Sequence, residues 1–269
     1  MRSVNIGVAG CLGRMGQELV KAIIKNNHIN FSGGFEKTDH KDINKNISKL
    51  INVNTNYFVA SESKKVFLDS DVVIDFTTPE STLQNVLIAS QQNTPIVIGT
   101  TGLGKKIMDE IKNHSNKIPI LQSSNMSFGI NLLFHLVEQA ATALKDVDYD
   151  IEISETHHKH KIDAPSGTAL SLGEFAAKGR KEKFDNIKEF DRTKVSSERK
   201  IGNIGFAVTR GGEIPGEHTI SFIGNSDRID ILHKTYDRSI FVNGAIEAAI
   251  FISDKSKGLY SMDDVIKSK

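Results

Sequence analysis

The residues best equipped for chemistry sit in "ETHHKHKIDAPSGTAL", Glu155 to Leu170, where three histidines and two lysines fill the five positions 157 to 161. Imidazole titrates near neutrality, and an ammonium is both a charge and a proton donor. His157 and Lys161 are four apart, so they share a face whether the segment is a strand or a helix. A pocket lined by both can hold an anion and protonate it. Just downstream, Pro165-Ser166-Gly167-Thr168 opens a helix, with Ser166 near the N-cap. The N–H groups and hydroxyls there suit a carboxylate. The expected ligand is a small molecule with two negative groups, met by Lys161 on one side and by the helix start on the other. Two other readings compete. His158 and His160, with Glu155 or Asp163 as oxygen ligand, suit zinc. Lys159 and Lys161 interleave that set, and fixed cations disfavour a dication, so no metal is expected. The plainest reading is a solvated strand end.

Such a site needs a scaffold, and the first half of the chain supplies a repeating one. "SVNIGVAG" alternates as a strand and ends at Gly10, and Met15, Leu19, Ala22 and Ile23 follow at helical spacing. "HINFSGGFEK" reads as a second strand. "DVVIDFT" is a short continuous apolar run, as a central strand covered on both faces requires, and Thr78-Pro79 opens the helix after it. "TPIVIGTTG" and "KIPILQSSN" repeat the strand-then-turn pattern before the apolar helix "GINLLFHLVEQAATAL". Strands alternating with helices predict a doubly wound parallel sheet of Rossmann type, whose ligands bind beyond the carboxyl ends of the strands.

The turns at those ends carry the second candidate site. "GCLGRMG" has glycines at 10, 13 and 16, a spacing that departs from the usual G-x-G-x-x-G. Gly10, Cys11, Leu12, Gly13, Arg14 and Met15 would bring backbone N–H groups to a pyrophosphate. Glu36 closes the second strand, twenty positions after Gly16, where an acidic residue binds ribose hydroxyls. Lys37 beside it is placed to meet a 2′-phosphate, or simply to face solvent. "DFTTP", "GTTG" and "SSNMSFG" complete the crevice. Cys11 is either a thiol of lowered pKa or a small residue that fits its turn.

After Leu144 the pattern changes. "DVDYDIEISETHH" reads as a half-buried strand and "GTALSLGEFAAK" as a helix. Residues 178–200 are charged and weakly periodic, a solvated loop or lid. "IGFAVTRGG", "EHTISFIG" and "DRIDILHKT" predict an antiparallel strand region, and "DRSIFVNGAIEAAIFIS" a closing helix. The expected architecture is a dinucleotide-binding domain over 1–126, completed by 239–269, and a smaller mixed α/β substrate-binding and oligomerisation domain over 127–238. With Lys+Arg 34 against Asp+Glu 33, no net field argues for nucleic acid or an anionic membrane. No apolar run suggests a membrane span, a strand pattern from Val4 leaves no signal peptide to expect, and a single cysteine excludes an internal disulfide. The expectation is a cytoplasmic protein.

"VAGCLGRMG", "DFTTPE", "GTTG", "SSNMSFGIN", "ETHHKHKIDAPSGTAL" and "RGGEIPGEHT", in that order from residue 8 to 219, closely resemble the dihydrodipicolinate reductase family. The resemblance implies a two-domain enzyme, usually a homotetramer, that reduces a cyclic imine dicarboxylate of lysine and diaminopimelate biosynthesis with NADH or NADPH. Carried over by position, Gly10 to Met15 hold the pyrophosphate and Glu36 the ribose. Gly99, Thr100 and Thr101, then Ser124, Asn125, Met126 and Ser127, provide further cofactor contacts. His157 is implied as acid/base and Lys161 as proton donor, with the source of the final proton left open between them. His158, Gly167 and Thr168 are implied substrate contacts, beside Ser166 of the same turn. Cys11-Leu12 replaces smaller residues of the family turn, and Lys37 stands where an arginine often binds a 2′-phosphate. The competing class is a non-catalytic dinucleotide sensor that docks partners through residues 178–200.

Overall fold

The structure, a computed structural model, describes residues 3–269, so the first two positions of the expected cofactor domain lie outside the described residues. Along the chain, β1 (Val4–Ala9), α1 (Arg14–Lys25), β2 (Ile29–Phe35), α2 (Ile47–Ile51), β3 (Val59–Ala60) and α3 (Ser63–Leu68) come first. They lead to β4 (Val72–Asp75), α4 (Pro79–Gln92), β5 (Ile96–Ile98), α5 (Lys105–His114) and β6 (Pro119–Gln122). The next elements are α6 (Phe128–Ala143), β7 (Tyr149–His157), α7 (Gly167–Gly179), α8 (Phe184–Ile187) and β8 (Lys188–Glu189). Then come β9 (Ile204–Arg210), β10 (Gly216–Gly224), β11 (Arg228–Thr235), α9 (Ser239–Ile252), β12 (Gly258–Tyr260) and α10 (Met262–Lys267). The chain divides into two compact units, one formed by the segment up to Ser127 with Ser239–Lys269, the other by Phe128–Arg238.

The first unit is the doubly wound parallel sheet, ordered β12-β6-β5-β4-β1-β2-β3. Every residue of β4 and β5 is buried, as their unbroken apolar runs require. The strands end in register: Phe35 pairs with Ala9, Ala9 with Asp75, Asp75 with Ile98, and Ile98 with Gln122. The turns that follow these residues therefore form one row along one edge of the sheet. Helix α4 begins as its sequence predicts, with Thr78 accepting from the Ser81 N–H and Pro79 in the first turn. Closing helix α9 packs on α1, β4, β5 and β6. Strands β3 and β12, two and three residues long, lie at the sheet's two edges. Neither is long enough to display a period, so neither is visible in the sequence.

A buried carboxylate ties two of the turns together. Asp75 accepts from the Thr77 N–H and hydroxyl at 3.0 and 2.6 Å and from Asn85 Nδ2 at 3.1 Å. Thr77 N–H also donates to Thr100 Oγ1 at 3.0 Å, which joins "DFTTP" to "GTTG". Full burial raises the Asp75 pKa against these donors.

The second unit is a five-stranded sheet, ordered β11-β10-β7-β9-β8, with α6 and α7 on one face. Ile151, Ile153, Ile220 and Phe222 of the sheet meet Leu133 and Val137 of α6 and Leu172 and Ala176 of α7. The sheet is mixed rather than antiparallel. β10 runs antiparallel to β7 and β11, but β7 with β9, and β9 with β8, are parallel. β7 enters between β9 and β10, and periodicity carries no information about strand order. Residues 178–200 differ from expectation too. They contain α8 and β8, and Arg199 reaches Glu152 Oε1 and the Ile151 carbonyl, both at 3.0 Å. The segment is fastened to β7, a non-local pairing that its interleaved charges conceal. Among the described residues no helix is long and apolar enough to cross a membrane.

Candidate functional site

In the first unit, the cofactor candidates take the positions that the strand ends allow. Gly10 has a left-handed φ of +65°, and a Cβ on Gly16 would lie 2.0 Å from the Gly10 carbonyl oxygen. The turn can therefore close on the start of α1 only with glycine at 16. Gly13 is the N-cap of α1, so Arg14 and Met15 form its first turn. One Glu36 oxygen accepts the Leu12 N–H at 2.8 Å, which holds the end of β2 against the glycine turn. Lys37 is exposed beside it. The Cys11 thiol is buried, and burial together with the Glu36 carboxylate pushes its pKa up to about 12. It is a packing residue, not a nucleophile. Gly99 follows β5, where its N–H donates to the Asp75 carbonyl; Thr100 is buried and Thr101 exposed. After β6, Ser123 Oγ donates to the Asn125 carbonyl and Asn125 Oδ1 accepts the Ser127 N–H, giving a compact turn with Ser124 exposed and Met126 buried. All of these residues share the row of turns at the sheet edge.

In the second unit, the histidine run folds as strand end, loop and helix start around Glu155. His157 is the last residue of β7 and is 7% exposed; Glu155, two residues earlier on the same face, is 2% exposed. Glu155 Oε2 pairs with His157 Nδ1 and accepts Arg210 Nη1 at 2.9 Å. Oε1 accepts Arg210 Nη2 at 2.9 Å and the Ser166 N–H at 3.0 Å. Burial pushes the Glu155 pKa up, but Arg210, the Ser166 N–H and His157 outweigh it, and the net direction is down. Glu155 is thus a carboxylate anion with all of its acceptor positions filled. Burial holds His157 below the ordinary imidazole value, with the neighbouring Glu155 opposing and Lys161 and Arg210 reinforcing that shift.

Lys161 Nζ lies 2.9 Å from Asp163 Oδ1 in the loop between β7 and α7. Ser166 caps α7 by accepting the Ala169 N–H at 3.2 Å, and its hydroxyl also meets His218 Nε2 at 3.1 Å. Buried in this way, Ser166 builds the site, while Gly167 and Thr168 form the first turn of α7. The N–H of His158 bonds to the Ile214 carbonyl at 2.8 Å. His160 is exposed and faces Glu213 at 3.5 Å, with its ring centroid 6.1 Å from that of His158.

Sequence reasoning assigned no role to Arg210 or His218, although both lie in the quoted "RGGEIPGEHT". The signal was present as residue type, but their target became visible only when β9 and β10 flanked β7. The ring centroids of His157 and His218 are 5.0 Å apart. Glu155, His157 and His218 have ligand atoms within 4.8 Å of one another, a set that shares only Glu155 with the zinc candidates of the sequence. The Arg210 guanidinium occupies both Glu155 oxygens there, and a dication would have to displace it.

Desolvation drives His218 from an ordinary pKa of 6.5 to about 3, with His157 adding to that shift. A histidine of depressed folded pKa contributes stability that is present above 6.5 and lost as pH falls below it, because the unfolded chain takes the proton first. The loss is about 1.4 kcal/mol per pH unit. Between pH 7 and 5, urea unfolding should report about 2 kcal/mol less stability from His218. A His218→Asn variant should have a visibly flatter pH dependence; the same slope in both proteins would refute the assignment.

Comparison with known proteins covers both units. Residues 4–126 match the family model "Dihydrodipicolinate reductase, N-terminus" and residues 129–266 match "Dihydrodipicolinate reductase, C-terminus". The chain is 39% identical over 263 residues to 4-hydroxy-tetrahydrodipicolinate reductase of Polynucleobacter necessarius, with 98% of each chain covered. It is 42% identical over 267 residues to the Rhodopseudomonas palustris enzyme of the same name, covering 99% of this chain and 97% of that one. Among solved structures, a dipicolinate-bound dihydrodipicolinate reductase from Paenisporosarcina sp. TG-14 superposes with a TM-score of 0.76 at 24% identity, covering 97% of this chain and 98% of that one.

Proposed function

Because the chain belongs to the dihydrodipicolinate reductase family, we propose that its row of glycine-rich turns and its histidine cluster hold the cofactor and the substrate of that family's reaction. The chain is a nicotinamide-dependent oxidoreductase that reduces 4-hydroxy-tetrahydrodipicolinate to tetrahydrodipicolinate, a step of lysine and diaminopimelate biosynthesis. One observation carries the assignment of the substrate site: Glu155 bonds both His157 and the Ser166 N–H, so the imidazole and the N-terminus of α7 are held at one carboxylate. A dicarboxylate needs such a convergence of a proton-transfer group and anion-binding groups.

The first unit fits a dinucleotide, since glycine at 16 lets the turn close against the start of α1, whose N-terminus suits a pyrophosphate. Residues 10–15 would hold the pyrophosphate and Glu36 the adenosine ribose. Gly99 to Thr101 and Ser124 to Ser127 would line the remainder. A bound nicotinamide supplies hydride. Lys37 is a point charge, able to meet a 2′-phosphate but not to grip it bidentately, so both NADH and NADPH should serve. Gly167 and Thr168 at the start of α7 receive one carboxylate and His158 and Lys161 the rest of the dianion. Loss of the 4-hydroxyl as water gives the conjugated ring; hydride arrival there leaves electron density on the adjacent carbon, which takes a proton from Lys161 or His157. With the His157 pKa held down, the imidazole rests neutral near pH 7, which favours the Lys161 ammonium as donor.

The face of the second unit's sheet opposite α6 and α7 carries Ser154, Ala207, Thr209 and Leu232, all exposed, with the Glu217–Lys234 pair beside them. It fits self-association into the homotetramer usual in the family, and light scattering should report four times 29.6 kDa. A cytoplasmic location accords with the biosynthetic role. The reading as a whole is tested by NADH absorbance. Consumption should occur only with the cyclic substrate present and should survive exhaustive chelation. No consumption would leave the sensor reading, and loss on chelation would restore the metal reading.

A further inference from the structure

We propose that Glu155, clamped by Arg210, is the positioning residue that fixes the tautomer and ring orientation of His157, leaving Nε2 as the only imidazole nitrogen able to exchange a proton with substrate. The inference rests on the role given to His157 above and adds the Arg210 clamp to the Glu155 contacts described there.

Hydrogen-bond capacity at Glu155 sets the tautomer. An ionised carboxylate has two oxygens and about four acceptor positions, and no proton of its own to donate. Glu155 faces four donors. Two are the Arg210 Nη groups, at 2.9 Å each; one is the Ser166 N–H at 3.0 Å; the fourth is His157 Nδ1. Since Glu155 can only accept, Nδ1 must carry the hydrogen, and the neutral ring must then present a lone pair at Nε2. The opposite tautomer would set an Nδ1 lone pair against a carboxylate oxygen in a buried site, where such repulsion is poorly screened.

Arg210 makes the arrangement rigid. Its guanidinium spans both oxygens and also donates to the Asp163 carbonyl at 2.6 Å, so the carboxylate plane cannot turn toward another partner. Asp163 is the residue whose side chain pairs with Lys161, so one arginine orders the surroundings of both proton-transfer candidates. The charged and titratable groups facing His157 come from each neighbouring segment: Glu155 on its own strand, Arg210 from β9, His218 from β10 and Lys161 from the loop. Of these four, Glu155 is the one that bonds to the ring.

The test is nitrogen NMR of the full-length protein labelled with 15N-histidine, beside steady-state kinetics. In the unaltered protein His157 should show a protonated Nδ1 and an unprotonated Nε2 at neutral pH. Glu155→Gln should shift the ring toward the other tautomer, lowering kcat by about 10- to 100-fold while KM changes less than about threefold. Arg210→Lys, which keeps one positive charge but cannot span both oxygens, should produce a smaller shift in the same direction. An Nε2-protonated His157 in the unaltered protein would overturn the proposal whether or not either variant folds. So would a Glu155→Gln protein with unchanged tautomer and kcat. The NMR readout does not depend on turnover, so an inactive role for His157 itself, seen as normal kcat in His157→Ala, would fail separately.

Discussion

Replacing Lys161 by alanine should lower kcat/KM by about 10²- to 10⁴-fold, the range expected for loss of a positioned proton donor. Two effects combine. On the proposed reading, the ammonium that neutralises the substrate dianion and is favoured as its proton donor disappears. In addition, Asp163, whose carboxylate lies 2.9 Å from Lys161 Nζ, is left as an unpaired negative charge where an anion must bind. KM should therefore rise together with the fall in kcat. Lys161→Arg separates the contributions, since guanidinium retains charge but does not give up a proton near neutral pH. It should recover most of KM and little of kcat. Normal turnover in Lys161→Ala would remove Lys161 from the mechanism and leave His157 as the remaining source.

Gly16→Ala should be the most damaging single methyl in the cofactor unit. The new Cβ would sit 2.0 Å from the Gly10 carbonyl oxygen and 2.9 Å from Cys11 Cα, both backbone atoms that no rotamer change can move. Either the glycine turn opens or α1 retreats from the sheet. Overpacking of this kind costs about 3 kcal/mol. An opened turn would also misplace the N–H groups proposed to meet a pyrophosphate, so NADH affinity measured by fluorescence titration should fall by at least about tenfold, equivalent to about 1.4 kcal/mol. Unchanged affinity and thermal midpoint together would show that the turn tolerates what the geometry forbids. A fall in affinity alone would assign the close approach to binding rather than folding.

Much of the fold is legible residue by residue. The run "DVVIDFT" reads as a strand covered on both faces and "TPIVIGTTG" as a strand followed by a turn, and Thr78-Pro79 sets the start of α4 through residue type alone, a capping hydroxyl followed by a ring with φ already fixed. Where the sequence misled, the missing information was pairing. Three strand-like runs in the second half suggest an antiparallel region, yet β7 intervenes between β9 and β10 and pairs with β9 in parallel, as β8 does on its other side. Segment 178–200 has the composition of a solvated lid, but Arg199 anchors it to Glu152 and the backbone of β7. Neither fact has a local signature, because each depends on residues about fifty positions away.

The candidate site divides along the same line. Types and spacing alone mark His157, Lys161 and the Ser166–Thr168 helix start, because a proton donor, a cation and an N-cap are properties of a residue and its near neighbours. The glycines at 10, 13 and 16 are marked likewise, since a tight turn is a local demand on φ and on space. Only the tertiary structure brings Arg210, 55 residues away, onto Glu155, and sets His218, 52 residues beyond Ser166, against its hydroxyl. Those contacts decide which imidazole nitrogen is free and which carboxylate is ionised. Such properties belong to burial and to partners, and a linear chain specifies neither until its strands have found their order.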